Sequence, residues 1–264
     1  MTMTTWNITF YGLPGIGMVN AGDDLASIIV KAAAADNFEF RDRDVVVVAQ
    51  KIVSKAEGRM ISLSSVIPSP RAERLAERTG RDPRLCQLYL DESRAILNVK
   101  GRHVVTVDKR GFQGTGAGVD TSNAAPLSEG RVVLLPADPD ASARRIRDGL
   151  RQQTGADIAV IVSDSFGSDL RDGAYGAAIG LAGIRHLEEP EGEHDLFGKP
   201  SRPVINRVDE IASAASIIMG QTDAAMPVII GRGIPFTADE DAAISRLLVG
   251  PPLPDTDFDL LTES

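Results

Sequence analysis

Apolar positions recur along the chain at two periods. Leu25, Ile28, Ile29 and Ala32 fall at helical spacing, as do Val208, Ile211, Ala212, Ala215 and Ile218, so both segments are expected to form helices that turn these faces inward. Asp138 ahead of Pro139 marks a helix start, and Thr237 with Glu240 three residues on matches a capping box. Short runs rich in β-branched residues lie between the helical patterns: Val45 to Val48, Val104 to Val107, Val132 to Leu135, Ile158 to Val162 and Val228 to Ile230. Each is bounded by polar residues, Gly or Pro, and reads as a strand. Several strand candidates follow one another with only loops between them. That order favours an α+β fold, with mixed or antiparallel sheets and packed helices, over a doubly wound parallel sheet. No internal repeat appears. Residues 1–264 read as one unit, with two intertwined, discontinuous subdomains whose boundaries the sequence does not assign.

Composition narrows the possible partners. The chain has 264 residues, 43% of them hydrophobic, enough for a sizeable core. Its formal net charge of -9 disfavours nucleic acid, which needs a basic face to displace counterions from phosphates. No apolar run of about 18 residues is present to span a bilayer. The start, MTMTTWNITFYG, lacks the basic and apolar regions of a signal peptide, so the cytoplasm is the expected compartment. The single cysteine, Cys86, lies among leucines in PRLCQLYLDES, which looks helical, and reads as a small buried hydrophobe. His103, His186 and His194 are too scattered to suggest a histidine-rich zinc site, so any metal is expected on oxygen ligands.

Four stretches place polar residues where strands end, the usual position for a site carried by a rigid scaffold. Gly12 to Leu25, GLPGIGMVNAGDDL, combines a Gly-Pro-Gly turn, whose amides can approach a nucleotide, with Asp23 and Asp24 at a helix start. Ala49 to Arg59, AQKIVSKAEGR, offers Lys51 and Lys55 as point charges for phosphate. Gly114 to Ala125, GTGAGVDTSNAA, brings Asp120, Ser122 and Asn123 together on a segment not expected to be a regular helix; these are hard oxygen ligands suited to magnesium or manganese. Val160 to Gly173 delivers Asp164 and Ser165 from a strand into a glycine-containing loop, as a complex of metal and triphosphate requires. Each stretch alone also has a bland reading as a turn, a solvated lysine or an Asx loop. No GxxxxGK[ST] occurs, so a nucleotide site here is not a P-loop, and Ser163 to Gly167 lacks the context of a serine hydrolase elbow.

Taken in order, these stretches resemble the coenzyme F-420-0:L-glutamate ligase family, the gamma-glutamyl ligases, from about Gly12 to Gly233. The most specific segments are IVSKAEGR, TGRDPRLCQLYLDESRAIL, AGVDTSN, LLPADPDASARRIR, SDSFG with Arg171 and Gly173, AIGLAG, HDLFG and DEIASAASIIMGQ. The resemblance implies GTP-driven ligation: a carboxylate of the coenzyme precursor is phosphorylated, and the amine of L-glutamate attacks the acyl phosphate. It implies magnesium or manganese, admits a monovalent cation, and makes a homodimer the expectation. By motif, Leu13, Pro14, Gly15 and Ile16 line the nucleotide with Gln50, Lys51, Lys55, Asn123 and Gly220. Asp120, Asp164, Ser165 and Gln221 bind metal, and Lys55, Asp120 and Asp164 carry the chemistry. Some relatives continue into a flavin-type domain; this chain, ending at Ser264, is expected to be the ligase part alone.

The departures bear on the acceptor. Gly116 stands where the family has Asn, Ser168, Asp169 and Leu170 where it has Arg-Pro-Trp, and Glu191 before Gly192 where it has Arg-Gly. Two arginine forks suited to phosphodiester or carboxylate groups are thereby absent. Two alternatives to the family reaction stand beside it: the same ligation on a folate-like or other small carboxylic acid, and a nucleotide-binding protein without catalysis.

Overall fold

The computed structural model describes residues 7–124, 126, 129–168, 171–190, 192 and 194–244. Its principal sheet has five strands in the order β1 (Thr9–Gly12), β12 (Val228–Arg232), β2 (Val45–Ala49), β8 (Ala159–Ser168) and β9 (Arg171–Ala182). The β2–β8 pair is parallel, with Val45 opposite Ala159 and Ala49 opposite Ser163, and the other pairs are antiparallel. Consecutive residues Val45 to Val48, Ala159 to Val162 and Val228 to Ile230 are all buried, so these strands are covered on both faces. This is why they read as continuous apolar runs rather than alternating ones.

Helix α1 (Leu25–Ala35) packs against α5 (Pro139–Thr154). α5 in turn lies on β8 and β9, and α6 (Arg207–Met219) lies on β9, β12 and β1. Asp138 caps α5 by accepting from Ala141 N at 2.9 Å, with Pro139 in the first turn, as the sequence predicts.

Between α2 (Gln50–Ala56) and α5 the chain builds a second, smaller core. It contains the pair β3 (Met60–Ser62) and β7 (Arg131–Val133), helices α3 (Pro70–Thr79) and α4 (Pro83–Glu92), and the antiparallel sheet β4 (Ser93–Lys100), β5 (His103–Asp108), β6 (Gln113–Thr115). Cys86 sits in this core beside Thr79, and burial raises its thiol pKa, so it is an inert packing residue as expected. A two-stranded pair, β10 (Leu187–Glu188) with β11 (Ile205–Asn206), completes the α+β fold. Among the described residues no helix is long and apolar enough to cross a membrane.

Three details differ from the sequence pattern. Thr237 and Glu240 form no capping box: Thr237 donates through its N and Oγ1 to Glu188, at 2.6 and 2.7 Å, and Glu240 takes a bidentate pair from Arg147. Tertiary partners outcompete the local cap. Ile218 is exposed: α6 buries Val208, Ile211, Ala212 and Ala215, and its last turn leaves Ile217 and Ile218 at the surface. The run Val132 to Leu135 pairs only as far as Val133, after which Leu134 N turns to the carbonyl of Arg59.

One ion pair ties the sheet to the loop that precedes it. Asp44 is fully buried and takes a bidentate contact from Arg232, Nε at 2.8 Å and Nη2 at 2.6 Å, while accepting from Arg41 N. Asp44→Ala strands the guanidinium and is expected to cost about 3 kcal/mol. The measurement is thermal unfolding, with a fall of roughly 8 °C.

Candidate functional site

The four stretches singled out by the sequence meet on one cavity of about 900 Å³. The parallel β2–β8 pair explains how. Both strands end on the same side of the sheet, so Gln50 and Lys51, at the start of α2, come to stand beside Asp164 and Ser165 at the end of the buried part of β8. Parallel strand ends are a common place for a site, because the polar residues that follow emerge from a rigid apolar base.

The third stretch arrives from the smaller core. After β6 the chain makes a tight turn over Gly116 to Gly118, with Ala117 in the left-handed region at φ 52° and its N–H donating to Thr106 Oγ1 at 2.9 Å. Asp120 then pairs with Val133 through two backbone hydrogen bonds of 2.8 Å, which fixes its carboxylate at the wall. Its Oδ1 accepts from Ser122 N and Oγ, and its Oδ2 meets Lys51 Nζ at 2.7 Å.

The lysines are held differently. Lys51 also donates to Ser122, whereas Lys55, one turn further along α2, is buried and donates to the carbonyl of Asn123 at 2.9 Å. Burial lowers the pKa of Lys55, with a further contribution from neighbouring Lys51. Asn123 lies at φ 50° and its amide donates to Thr222 O at 2.7 Å, which links this loop to the end of α6. There Gly220 caps the helix at φ 70°, a conformation that favours glycine, and a Cβ would fall 2.8 Å from Ala224. Gln221 follows, and its Oε1 accepts from Ser165 Oγ at 2.8 Å.

Asp164 is the most perturbed acid in the site. Its pKa is raised to about 7, chiefly by burial and further by the charge of Asp120, against the opposing effects of the Ser165 amide, Lys51 and Gln50. Two carboxylates facing one cavity, with one held partly protonated at neutral pH, are a donor set that a cation would relieve. Among the described residues, no three or more His, Cys, Asp or Glu side chains are grouped so as to hold a metal ion. The oxygen set is therefore two carboxylates with the Ser165 hydroxyl and the Gln221 amide. It suits a hard divalent ion whose remaining ligands come from phosphate and water.

The structure does not bring every candidate to the wall. Gln50, Lys51, Lys55, Asp120, Asn123, Asp164, Ser165, Gly220, Gln221 and Ile16 line the cavity. Leu13 does not: it is buried in the main core, its N–H bonded to Val228 O, and the exposed Pro14 and Gly15 also lie off the wall. Of the acceptor-region departures, Asp169, Leu170 and Glu191 fall outside the described residues, and only Gly116 is on the wall. Residue-by-residue reading missed Arg81, Tyr89 and His103, which the smaller core brings to the same cavity. Nothing in their local spacing signals this, since the contact depends on how α4 and β5 pack above the sheet.

Comparison with known proteins identifies the family. A profile of the F420-0:Gamma-glutamyl ligase family matches residues 15–233. The protein named coenzyme F420:L-glutamate ligase from Methanothermobacter thermautotrophicus is 42% identical over 230 residues, covering 87% of this chain and 90% of that protein. Proteins of the same name from Methanopyrus kandleri and Methanocaldococcus jannaschii are 43% and 41% identical, covering 82% and 75% of this chain and 83% and 80% of their own lengths.

Proposed function

Since the chain belongs to the F420-0:Gamma-glutamyl ligase family, we propose that it joins the amine of L-glutamate to a carboxylate of the coenzyme F420 precursor with GTP as the energy source. The observation that carries this reading is the convergence of Lys51, Lys55, Asp120 and Asp164 on one cavity from three separate parts of the chain.

In the proposed reaction a carboxylate oxygen of the acceptor attacks the γ-phosphorus and the bond to GDP breaks. The glutamate amine then attacks the acyl carbon of the mixed anhydride. The C–O bond to phosphate breaks, and the nitrogen gives up its proton as the amide forms. Lys55, aimed by the Asn123 carbonyl, and Lys51, aimed by Asp120, oppose the charge that moves onto the leaving GDP. Asp120, Asp164, Ser165 and Gln221 would hold magnesium or manganese, which supplies further neutralisation of phosphate charge when bound. The proposal includes a homodimer, as the family resemblance implies.

The test of the mechanism is oxygen transfer. With the acceptor carboxylate labelled by ¹⁸O, one labelled oxygen is expected in the inorganic phosphate released; unlabelled phosphate would exclude the anhydride.

The state of Asp164 gives a pH prediction. Its folded pKa, about 7, is raised above the ordinary value of 3.8, so protons compete with the cation below neutrality. Manganese affinity is expected to weaken roughly tenfold per pH unit as the pH falls from 7 to 5, and to level off above 8. Titration calorimetry of the nucleotide-free protein measures this, and a flat profile would contradict it.

A further inference from the structure

The cavity has a second end, which the chemistry above does not use. It is built by the smaller core: Arg81 in the turn between α3 and α4, Tyr89 on α4, and His103 at the start of β5 all line it. Arg81 is half-buried, and its Nε donates to Arg102 O at 2.6 Å, which holds the guanidinium 5.8 Å from the centre of the Tyr89 ring. Its two terminal nitrogens have no hydrogen-bond or ion-pair partner among the described residues. The neighbouring acid, Asp82, is occupied by Arg84 through contacts of 3.0 and 2.6 Å and does not neutralise it. The Tyr89 hydroxyl also lacks a partner among the described residues, and burial keeps the phenol protonated, as a donor. Gly116 also borders the ring: at φ 61°, a Cβ there would come 2.9 Å from Tyr89. The space over the ring therefore depends on a residue without a side chain.

We infer that the Arg81, Tyr89 and His103 end of the cavity is a subsite for the acceptor, holding an anionic and aromatic portion remote from the carboxylate that reacts. This rests on the ligase reading. Three ligands must meet near Asp120 and Asp164, and the choice among them follows from donor and acceptor chemistry. A guanine base needs acceptors for its ring N–H and amino group. Among the described residues the wall's carboxylates are Asp120, Asp164 and Asp223, and none of them belongs to α3, α4, β5 or β6. Glutamate would bring an ammonium group toward a fixed guanidinium. An acceptor with an acidic group and a flat ring meets what the wall offers: a guanidinium fork, a phenol donor and an aromatic face. At about 900 Å³ the cavity is at the upper end for a single small ligand, so it has room for a long acceptor beside the nucleotide's phosphates.

The experiment is calorimetric titration of the full chain, saturated with manganese and GDP, with the coenzyme F420 precursor. Arg81→Ala is expected to weaken precursor binding at least tenfold, Arg81→Lys less, and Tyr89→Phe about threefold, with manganese–GDP affinity unchanged within twofold. Steady-state kinetics should show the same rise in KM for the precursor and none for L-glutamate. Tyr89→Phe and Arg81→Lys keep the shape of the turn and the ring, so they carry the test if the alanine variant unfolds. Unchanged precursor binding in all three variants overturns the subsite while leaving the ligase reading in place. A loss of GDP affinity, or a rise in the KM for glutamate alone, assigns this end to another ligand and also overturns it. Failure of the wild-type protein to bind the precursor overturns both.

Discussion

Asp164→Asn is expected to lower ligation by at least about 100-fold while leaving the protein folded. The carboxyl group is half-buried at the cavity wall with a pKa raised to about 7, so the folded chain accommodates its neutral form, and asparagine has nearly the same shape and no charge. Stability should therefore change little. Cation binding should suffer, because the amide removes one of only two carboxylates in the donor set and leaves Asp120, already paired with Lys51 at 2.7 Å, to act alone. The measurements are turnover at saturating manganese and the thermal midpoint of the metal-free variant. Wild-type turnover would remove Asp164 from the mechanism, and a collapse of the midpoint would make its role structural.

Lys55→Ala is expected to have a comparable effect on kcat/KM for GTP, about 100-fold, and Lys55→Arg should not restore it. Lys55 is buried and its ammonium is aimed by a single carbonyl, Asn123 O at 2.9 Å, so a longer planar guanidinium cannot occupy the same point. Lys51→Ala should cost less. Much of the Lys51 charge is already balanced by Asp120, and the variant also frees that carboxylate for a cation. Equal losses in the two alanine variants would contradict the assignment of Lys55 as the better placed of the two.

What could be read from sequence was whatever is decided locally. The runs Val45 to Val48 and Ile158 to Val162 announce buried strands, and the polar residues that follow them form the site because both strands run the same way. The Asp138–Pro139 start of α5 is likewise a local signal, satisfied by a contact three residues on. Strand β9 could not be read in this way. Its sequence, RDGAYGAAIGLA, lacks a β-branched run because two helices press on its backbone: a Cβ at Gly176 would lie 2.4 Å from Ala212 O, and one at Gly180 would lie 2.3 Å from the Pro139 carbonyl carbon. Small residues chosen for close packing look like a loop when neighbours are unknown.

The same reasoning separates the two ends of the cavity. Asp120 and Asn123 stand out in sequence because a carboxylate and an amide in a glycine-rich turn are unusual. Tyr89 lies in a helical segment that the sequence explains fully by its own packing, and Arg81 lies in the turn just before it. Their second role depends on contacts with the Gly116 turn, more than twenty-five residues away along the chain. The Thr237–Glu240 pattern shows the converse, a local signal overridden by Glu188 and Arg147 from distant parts of the chain.

Coupling of GTP cleavage to amide formation on the coenzyme F420 precursor is tested most directly by the mass of that precursor after incubation with the protein, GTP, L-glutamate and manganese or magnesium, with GDP release followed in parallel. A gain of one or more glutamyl units is expected, with one GDP for each, both abolished by chelation of the metal. An unchanged precursor, with manganese and GTP bound normally, would contradict this coupling.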